Sequence, residues 1–326
     1  MRSLEKFIDS FIEEEIKEYF VAYSGGLDST VLLSEVNDLL KKKKIGKLKA
    51  IHINHNYSKN SKKWEKHCKD FCKSKDIDLL IFNIDFSKIK GASIEEQLRK
   101  KRYEIFEKKL SKGGRLFMGH HEDDNIETLV LRLLRGSGTK GARSIPINRK
   151  LGKGDIARPL LSLQKENLKL IAKIKVLKFI HDESNDDNSF DRNYIRNLIL
   201  PVIEKRWPSY RKNLIKFIMN SKESYEVILE QTKEDLSKVV DKKDIYKINI
   251  SKLLKLSLQR QKNIILYWVD SLNLNSPNSK VLDEILGKFL FASKAKEPKL
   301  LWGTKNKKGS VSLSIKKGFL EATPLI

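Results

Sequence analysis

The chain has 326 residues, of which 40% are hydrophobic and 33% are charged. This balance is that of a globular protein of about two domains, and it excludes a fibrous or wholly disordered chain. No apolar run approaches the ~20 residues that span a bilayer, and the first residues lack the apolar core of a secretory signal. The two cysteines, Cys68 and Cys72, exclude a disulfide scaffold and lead us to expect a cytoplasmic protein.

The net charge is strongly positive, with 66 lysines and arginines against 42 acidic residues. A basic surface gains affinity for nucleic acid from released counterions, although a coding bias towards lysine would give a similar excess. The arginines are more informative, because twelve of the fourteen lie between Arg99 and Arg211. Guanidinium groups bind phosphate in a bidentate geometry, so this concentration indicates a polyanionic partner.

The first half of the chain alternates short apolar runs with helical patterns. Residues 1–20 predict an acidic amphipathic helix, and the apolar strand 19–23 leads through the turn 24–26 into a helix that ends near residue 40. The further predicted elements are strand 48–53, helix 62–75, strand 79–82, helix 94–110, strand 115–118 and helix 127–134. This spacing predicts βαβ units, and therefore a doubly wound, mostly parallel α/β sheet covered on both faces.

The second half of the chain is more helical. Residues 136–154 contain five glycines among basic residues and predict a mobile loop. The later predicted elements are helix 163–179, a polar loop 182–193, helices 207–240, 253–272 and 279–291, and hairpin-like strands that end at residue 326. We place the domain boundary near residue 210, so that a catalytic α/β domain, 1–210, precedes a helical linker and a smaller helical or α+β domain, 211–326.

The turn between the first strand and the following helix has the chemistry of an anion site. It consists of Ser24, Gly25, Gly26, Leu27, Asp28 and Ser29. The glycines let backbone amides turn towards an anion, the helix directs its positive end at the same point, and Asp28 can hold a cation beside the phosphates. No lysine follows the glycines as in the GxxxxGK[ST] loop, which favours binding pyrophosphate as a unit. An ordinary capped strand-to-helix turn is the alternative.

A second cluster follows strand 115–118, at the edge where open α/β sheets bind ligands. It contains His120, His121, Asp123 and Asp124, a composition that suits a metal site or an acid–base cluster. The alternative is a capped helix start, where carboxylates are favourable at the positive helix end. Capping explains one carboxylate but leaves the adjacent histidines unexplained, so we expect a functional site.

These motifs resemble those of known enzymes. Residues 24–29 resemble the signature of the PP-loop, or N-type, ATP pyrophosphatase superfamily, whose members cleave ATP between the α and β phosphates. With residues 119–138 they resemble the tRNA(Ile)-lysidine synthetase family, and the segments 53–55, 95–103, 158–161, 182–185 and 192–197 agree. The resemblance covers about residues 15–210 and is looser in the C-terminal part, at 258–268 and 300–302. The chain ends earlier than the longest members, so we expect one further terminal domain to be absent.

The resemblance implies an enzyme that joins the ε-amine of free L-lysine to C2 of the wobble cytidine in isoleucine tRNA with a CAU anticodon. ATP first adenylylates the cytosine 2-oxygen and releases pyrophosphate, and lysine then displaces AMP. The product, lysidine, changes the codon that is read from AUG to AUA. The implied cofactors are ATP and Mg²⁺, and the implied partners are tRNA(Ile) and free lysine, with no membrane; a homodimer is left open.

The resemblance also implies roles for individual residues. The ATP phosphates would be bound by Ser24, Gly25, Gly26, Leu27, Asp28 and Ser29. Asp28 and Asp124 would hold Mg²⁺, and His120 would assist adenylyl transfer. His121 would support its neighbour.

Arginines would stabilise the developing phosphate charge. The candidates are Arg99 or Arg102, together with Arg196, although an arginine on a helix is often part of a solvated face. His52 or His55 would pack beside the nucleotide.

Two other interpretations stay open. One is another PP-loop enzyme, either a tRNA thiolase or a small-molecule amide-forming ligase. The arginine-rich middle of the chain disfavours a small substrate, and Cys68 and Cys72, which we predict to be packing residues, are too few for a closed metal or cluster site. The other is a non-catalytic tRNA-binding protein that has kept a nucleotide fold, which the intact motifs disfavour.

Overall fold

The computed structural model describes residues 2–54, 60–85, 94–291, 298–303 and 310–325. The chain forms two compact units, Met1–Lys222 and Glu223–Ile326. The division, after Lys222, lies inside one long helix, Tyr210–Val239, further along the chain than the boundary predicted near residue 210. None of the helices that the structure describes has the length and apolar character needed to cross a membrane.

Among the described residues, the first unit contains one six-stranded sheet. Its strands are β1 Glu18–Ala22, β2 Lys47–Asn54, β3 Asp78–Asn83, β4 Arg115–Phe117, β5 Asn148–Leu151 and β6 Gly154–Ala157. They follow the order β3-β2-β1-β4-β6-β5, and all neighbours are parallel except β5 and β6. The predicted doubly wound, mostly parallel sheet is therefore confirmed.

Helices cover both faces of this sheet. The α-helices that begin in this unit are α1 Arg2–Asp9, α2 Leu27–Lys43, α3 Ser61–Lys75, α4 Ile94–Lys109, α5 Glu122–Leu134, α6 Thr139–Ala142, α7 Lys165–Ile174, α8 Asp191–Tyr194, α9 Leu200–Arg206 and α10 Tyr210–Val239. Of these, α1, α2, α3 and α7 share a core with one face of the sheet and α4 with the other. Successive residues of β1 point to opposite faces. Tyr19 and Val21 join a core with α1, α2 and α3, whereas Phe20 joins a core with α4. Burial on both faces explains why the strands read as continuous apolar runs.

The N-terminal helix is shorter than the predicted 1–20, because α1 ends at Asp9. Tertiary contacts hold the residues that follow: Arg115 donates to the Phe11 carbonyl at 2.8 Å, and the Tyr19 hydroxyl donates to the Glu13 carbonyl at 2.7 Å. The chain then pairs with β2. Sheet pairing and these bonds override a helical pattern that the sequence does carry.

The prediction of a loop over 136–154 is wrong, because this segment contains α6, β5 and the first residue of β6. The first three residues of β5 are exposed, as is common on a sheet edge. They therefore lack the apolar alternation by which a strand is recognised. Helix α5 begins at Glu122 rather than near residue 127, so the second motif lies at a helix N-terminus.

The second unit is a small antiparallel sheet with helices. After α10 come β7 Lys247–Asn249, α11 Ile250–Leu253, α12 Leu258–Ser271, α13 Ser279–Gly287, β8 Lys299–Trp302, β9 Val311–Lys316 and β10 Phe319–Pro324. The strand order is β7-β10-β9-β8. Trp268 is buried in its core and donates from the indole nitrogen to the Ile245 carbonyl at 2.7 Å. The predicted small C-terminal fold with hairpin strands is confirmed.

Candidate active site

The candidate site lies at the carboxyl ends of β1 and β4. These central strands are neighbours, and β2 and β6 extend the sheet in opposite directions from them. Open α/β sheets bind ligands at the point where the strand order reverses in this way. The loop after β4 passes close to the start of α2, since a Cβ on Gly119 would lie 3.2 Å from the Asp28 carbonyl carbon and from the Ser29 nitrogen. Glycine at this position lets two motifs that are distant in the sequence meet.

Gly25 gives the loop after β1 its shape. Its φ of +87° lies in the region that favours glycine, and a Cβ there would be 2.9 Å from both Cys68 Sγ and Ile180 Cδ1. The Gly25 carbonyl accepts from the Ile180 amide at 2.8 Å and from the Thr30 hydroxyl at 3.3 Å. The loop is therefore held from both sides before any ligand binds.

Hydroxyl groups and free amides converge on the same loop. Ser24 Oγ and Ser29 Oγ are 3.0 Å apart, and the Gly26 amide donates to Ser24 Oγ at 3.2 Å. The Thr30 amide donates to the Gly26 carbonyl, so the amides of residues 27–29 belong to the positive helix end that precedes the helical hydrogen bonds. This arrangement suits a phosphate group.

His121 lies between carboxylates from two elements. Its Nε2 is 3.7 Å from Asp28 Oδ2 and 3.6 Å from Asp124 Oδ2. Burial raises the pKa of Asp28, with His121 opposing the rise and Asp124 adding to it. Burial would also raise the pKa of Asp124, but Arg192 and the two histidines of the motif hold it below its usual value. Two carboxylates thus share a confined space, which favours a bound cation.

Asp28 and Asp124 fit Mg²⁺. Asp28 Oδ1 is buried without a hydrogen-bond partner among the described residues, as expected of an oxygen that can contact a bound cation. The described part of the chain contains no group of three or more metal-binding side chains. Mg²⁺ is commonly held by one or two carboxylates together with substrate phosphates rather than by a protein cage, so a pair of carboxylates beside a phosphate loop is sufficient.

His120 is a neutral hydrogen-bond donor. Arg158 donates from Nε to His120 Nδ1 at 3.3 Å, which places the ring proton on Nε2. Burial, with the nearby arginine charges, lowers the pKa of His120 to about 3 although Asp124 opposes the shift. The ring therefore stays uncharged at neutral pH and can donate to a phosphate oxygen.

A network of ion pairs with Glu127 and two arginines holds Asp124 in place. Glu127 is 1% exposed and accepts from Arg192 Nε at 2.8 Å and from Arg196 Nε at 2.6 Å. Arg192 also donates to Asp124 Oδ1 at 2.8 Å. The second arginine lies on a π-helical turn, Ile195–Ile199, a feature that is frequent at functional sites. We call Asp124, Glu127, Arg192 and Arg196 the paired cluster, because its arginines and carboxylates pair with one another.

Asp123 connects three helices. It accepts from the Lys165 amide at the start of α7 at 3.1 Å, pairs with Arg211 of α10, and lies 3.3 Å from His121 Nδ1. Burial would raise the pKa of Asp123, but His121 and Arg211 hold it well below its usual range. Asp123 therefore turns the His121 ring so that Nε2 faces the other two carboxylates.

Two cavities open at this edge of the first unit. The loop cavity has a volume of about 530 Å³ and borders the loop after β1. The basic cavity has a volume of about 1660 Å³, and its basic lining residues include Arg132, Lys140, Arg143, Arg149 and Arg158. Arg99, His120 and Arg192 line both cavities. A group bound at the loop can therefore reach a larger ligand in the basic cavity.

The structure brings most of the predicted site residues together. The loop cavity is lined by Ser24, Gly26, Asp28, Ser29, Arg99, Arg102 and His120. Gly25 shapes the loop, and the Leu27 side chain packs in the core, so Leu27 offers only its backbone. Arg196 and Asp124 line neither cavity and belong to the paired cluster. His52 lines the loop cavity, whereas His55 lies outside the described residues.

Sequence analysis missed the roles of three site residues. Arg158, Glu127 and Arg192 lie within the segments that carry the resemblance, but no local pattern indicates which of these charges pair. The two cysteines are free and buried in the core, where burial raises the pKa of each thiol to about 12. Their predicted role in packing agrees with this environment.

Two protein-family models match the chain. One, described as a PP-loop domain, matches residues 1–203, and the other, described as a TilS substrate binding domain, matches residues 248–313. Among solved structures, a U34-tRNA thiolase from Methanococcus maripaludis with its [4Fe-4S] cluster is similar, with a TM-score of 0.51 and 17% identity over 67% of this chain and 78% of that chain. At this identity the similarity concerns the fold alone.

Curated relatives match most of the chain. The tRNA(Ile)-lysidine synthase of Coxiella burnetii is 33% identical over 98% of this chain and 71% of its own length. The enzymes of the same name from Buchnera aphidicola subsp. Acyrthosiphon pisum and Pseudomonas putida are 37% and 36% identical over 88% and 77% of this chain. This chain spans 64% and 60% of these two relatives.

Proposed function

Because the chain belongs to the tRNA(Ile)-lysidine synthase family, we propose that it joins free lysine to C2 of the wobble cytidine of isoleucine tRNA with a CAU anticodon, using ATP. The family prediction made from the motifs is thereby confirmed. One observation carries the proposal for the site: the phosphate loop at the start of α2 and the His120–Asp124 segment meet at the end of β1 and β4, beside a basic cavity of about 1660 Å³.

In the first step, the cytosine 2-oxygen attacks the α-phosphate of ATP. The bond from this oxygen to phosphorus forms, the bond to the bridging oxygen of the β-phosphate breaks, and pyrophosphate leaves. The residues of the loop, Ser24 to Ser29, hold the phosphates with hydroxyls, amides and the helix end. His120 donates from Nε2 to a phosphate oxygen, and Arg99 and Arg102 line the same cavity.

Asp28 and Asp124 would hold Mg²⁺, which offsets the charge on the leaving pyrophosphate when it is bound. His121 lies beside both carboxylates, and Asp123 fixes its orientation. The paired cluster keeps Asp124 ionised, since Arg192 and its neighbours hold its pKa low. These residues set the position and charge of the site before substrate binds.

In the second step, the ε-amine of lysine attacks C2 of the adenylylated cytosine. The carbon–nitrogen bond forms, the carbon–oxygen bond breaks, AMP leaves and the amine loses a proton. The basic cavity supports a tRNA substrate, because its arginines and lysines suit a phosphodiester backbone. We place the reaction in the cytoplasm, since Cys68 and Cys72 are free thiols.

Transfer of labelled lysine onto tRNA tests the proposal. We expect incorporation that requires ATP, with one pyrophosphate released for each lysine attached. The matched control is a transcript of the same isoleucine tRNA with a wobble uridine in place of the cytidine, which should receive no lysine. Pyrophosphate release driven equally well by a small carboxylic acid without tRNA would favour a small-molecule ligase instead.

A further inference from the structure

Two guanidinium groups lie over one aromatic ring, that of Tyr103, at the border of the two cavities. The Arg149 guanidinium carbon lies 4.6 Å from the centre of the Tyr103 ring, and that of Arg99 lies 5.5 Å from it. Burial would raise the pKa of Tyr103, but the charges of Arg99, Arg158, Arg102 and Arg149 lower it. We define the arginine set as the two residues over the ring, Arg99 and Arg149, together with Arg158, whose charge also lowers the pKa of this phenol.

These arginines come from separate elements. Arg99 precedes Tyr103 by one turn of α4, Arg149 lies on the edge strand β5, and Arg158 follows β6 directly. The antiparallel pairing of β5 and β6 places Arg149 opposite Ile156, close to the carboxyl end of β6. The β5–β6 hairpin, most of which lies in the segment predicted as a loop, therefore places Arg149 and Arg158 at the site.

Within the residues that the structure describes, no carboxylate neutralises the positive charge of the arginine set. In the described part of the chain, none of its three members forms an ion pair with a carboxylate, although Arg158 is only 3% exposed. Arg158 donates instead to the Pro146 carbonyl at 2.7 Å and to His120. Burial lowers the pKa of Arg158, and Arg149 and Arg99 lower it further. Like charges at this spacing become favourable when an anion joins them.

The Tyr103 ring is itself fixed in place. Its hydroxyl donates to Met118 Sδ at 3.7 Å, and its ring meets Phe106 edge-on at a centroid distance of 6.1 Å. Tyr103 lines neither cavity, whereas Arg99 lines both and Arg149 and Arg158 line the basic cavity. A ring that the core holds still, and that attracts cations to its face, offsets the mutual repulsion of the arginines.

We infer that Tyr103 is a positioning residue that holds Arg99 and Arg149 over its ring, so that they form a phosphate-binding set with Arg158 at the border of the loop cavity and the basic cavity. The inference rests on the proposed function for the reaction in which the arginines take part. The arrangement of the arginines itself requires only that the ligand carry a phosphate group. That phosphate comes either from ATP or from the RNA backbone, and both supply the same anionic oxygens.

Two substitutions separate the ring from the hydroxyl. Tyr103→Phe keeps the ring face, so we expect pyrophosphate release and ligand binding within about twofold of the wild type. Tyr103→Leu removes the ring, so we expect a loss of about tenfold, the size of a cation–ring interaction in a partly buried setting. A Phe variant that rescues what the Leu variant loses indicates positioning through the ring rather than packing.

Phe82→Leu is the matched control. Phe82 packs in the same core cluster as Tyr103 and carries a cation over its ring, with Lys109 Nζ 5.2 Å from the centroid, but it lines neither cavity. We expect Phe82→Leu to lower the melting temperature about as much as Tyr103→Leu while leaving ligand binding unchanged. Equal ligand affinities in the two Leu variants and the wild type would overturn the inference.

Equilibrium binding keeps this test independent of the proposed reaction. A non-hydrolysable ATP analogue and tRNA are titrated separately against each variant. Weaker binding of the analogue to Tyr103→Leu identifies the nucleotide as the source of the phosphate, and weaker binding of tRNA identifies the RNA backbone; either result supports the inference. If the wild type attached no lysine to tRNA, the proposed function would fail while these titrations still decided the role of Tyr103.

Discussion

Two neighbouring charged regions of the first unit handle charge in opposite ways. In the paired cluster, two carboxylates and two arginines satisfy one another, and Glu127 is almost wholly buried. In the arginine set, two of the three guanidinium groups lie over one aromatic ring, and none of the three has a carboxylate partner in the residues that the structure describes. Both regions contribute residues that border the same basic cavity.

In the paired cluster, the ion pairs form when the protein folds. In the arginine set, we expect a bound anion to supply the counter-charge. Ion pairs that are buried and hydrogen-bonded hold their geometry without ligand, and breaking one is costly. Arginines without counter-charges keep their positive potential for a bound anion. We therefore expect substitutions in the paired cluster to affect stability as well as activity, and substitutions of the exposed members of the arginine set, Arg99 and Arg149, to affect mainly ligand binding.

The largest expected effect is that of Asp124→Asn on turnover. Asp124 keeps its shape but loses the charge that would hold Mg²⁺ and face His121, so pyrophosphate release should fall by roughly 100-fold or more, the range seen when one preorganised electrostatic group is removed. Binding of tRNA should stay within a few-fold, because Asp124 lines neither cavity.

Asp38→Asn is the control for this experiment, because Asp38 is a half-exposed carboxylate of the same unit that pairs with Lys175. It should turn over like the wild type. If Asp124→Asn kept more than a tenth of wild-type turnover, the assignment of Asp124 to the metal would be wrong.

The next effect is on stability, through Glu127→Gln. Removing the buried charge leaves Arg192 and Arg196 without their shared partner, which should cost about 3 kcal/mol of unfolding free energy and lower the melting temperature by roughly 6–12 °C for a domain of this size. Thermal unfolding measures the change. Glu166→Gln, at an exposed carboxylate, should shift stability by less than about 0.5 kcal/mol; equal melting temperatures for the two variants would contradict the buried pairing.

Arg149→Gln should leave stability nearly unchanged and weaken ligand binding, in contrast to Glu127→Gln. Arg149 is exposed, and its removal relieves repulsion within the arginine set, so stability should change by less than about 0.5 kcal/mol. Affinity for the phosphate ligand should nevertheless fall by about tenfold, in line with one lost charge contact. Arg206→Gln, an exposed arginine outside both cavities, serves as the control. An Arg149 variant that lost stability but kept its ligand affinity would reverse the comparison.

The smallest expected change is in the salt dependence of tRNA binding. Affinity for tRNA should fall steadily with the logarithm of salt concentration, and the slope should become shallower by roughly 0.7 for each phosphate contact removed. Arg149→Gln should show such a shallower slope if Arg149 meets the RNA backbone. The melting temperature of the ligand-free protein should respond far less, because buried pairs are screened much less than exposed charges. A flat salt response of binding would remove the argument from the basic surface.

The sequence by itself was enough for the family and for most of the first sheet. The strands β1 to β4 are short apolar runs because both of their faces are buried, and the helices between them carry periodic patterns, so local composition reports their structure. The phosphate loop could also be predicted from the sequence, because Gly25 and the start of the following helix are close together along the chain. These features depend on contacts close along the chain.

Only the tertiary structure decided which charges meet. Glu127 pairs with residues of α8 and the turn after it, Arg115 ends the helical course of the N-terminal segment, and β5 is a strand only because β6 lies beside it. Side chains on elements distant in sequence acquire their pKa, their partners and their exposure from packing, and no local pattern encodes that packing. For the same reason, the sequence supplied the arginines of the site, whereas the fold separated those that are neutralised from those that remain available for phosphate.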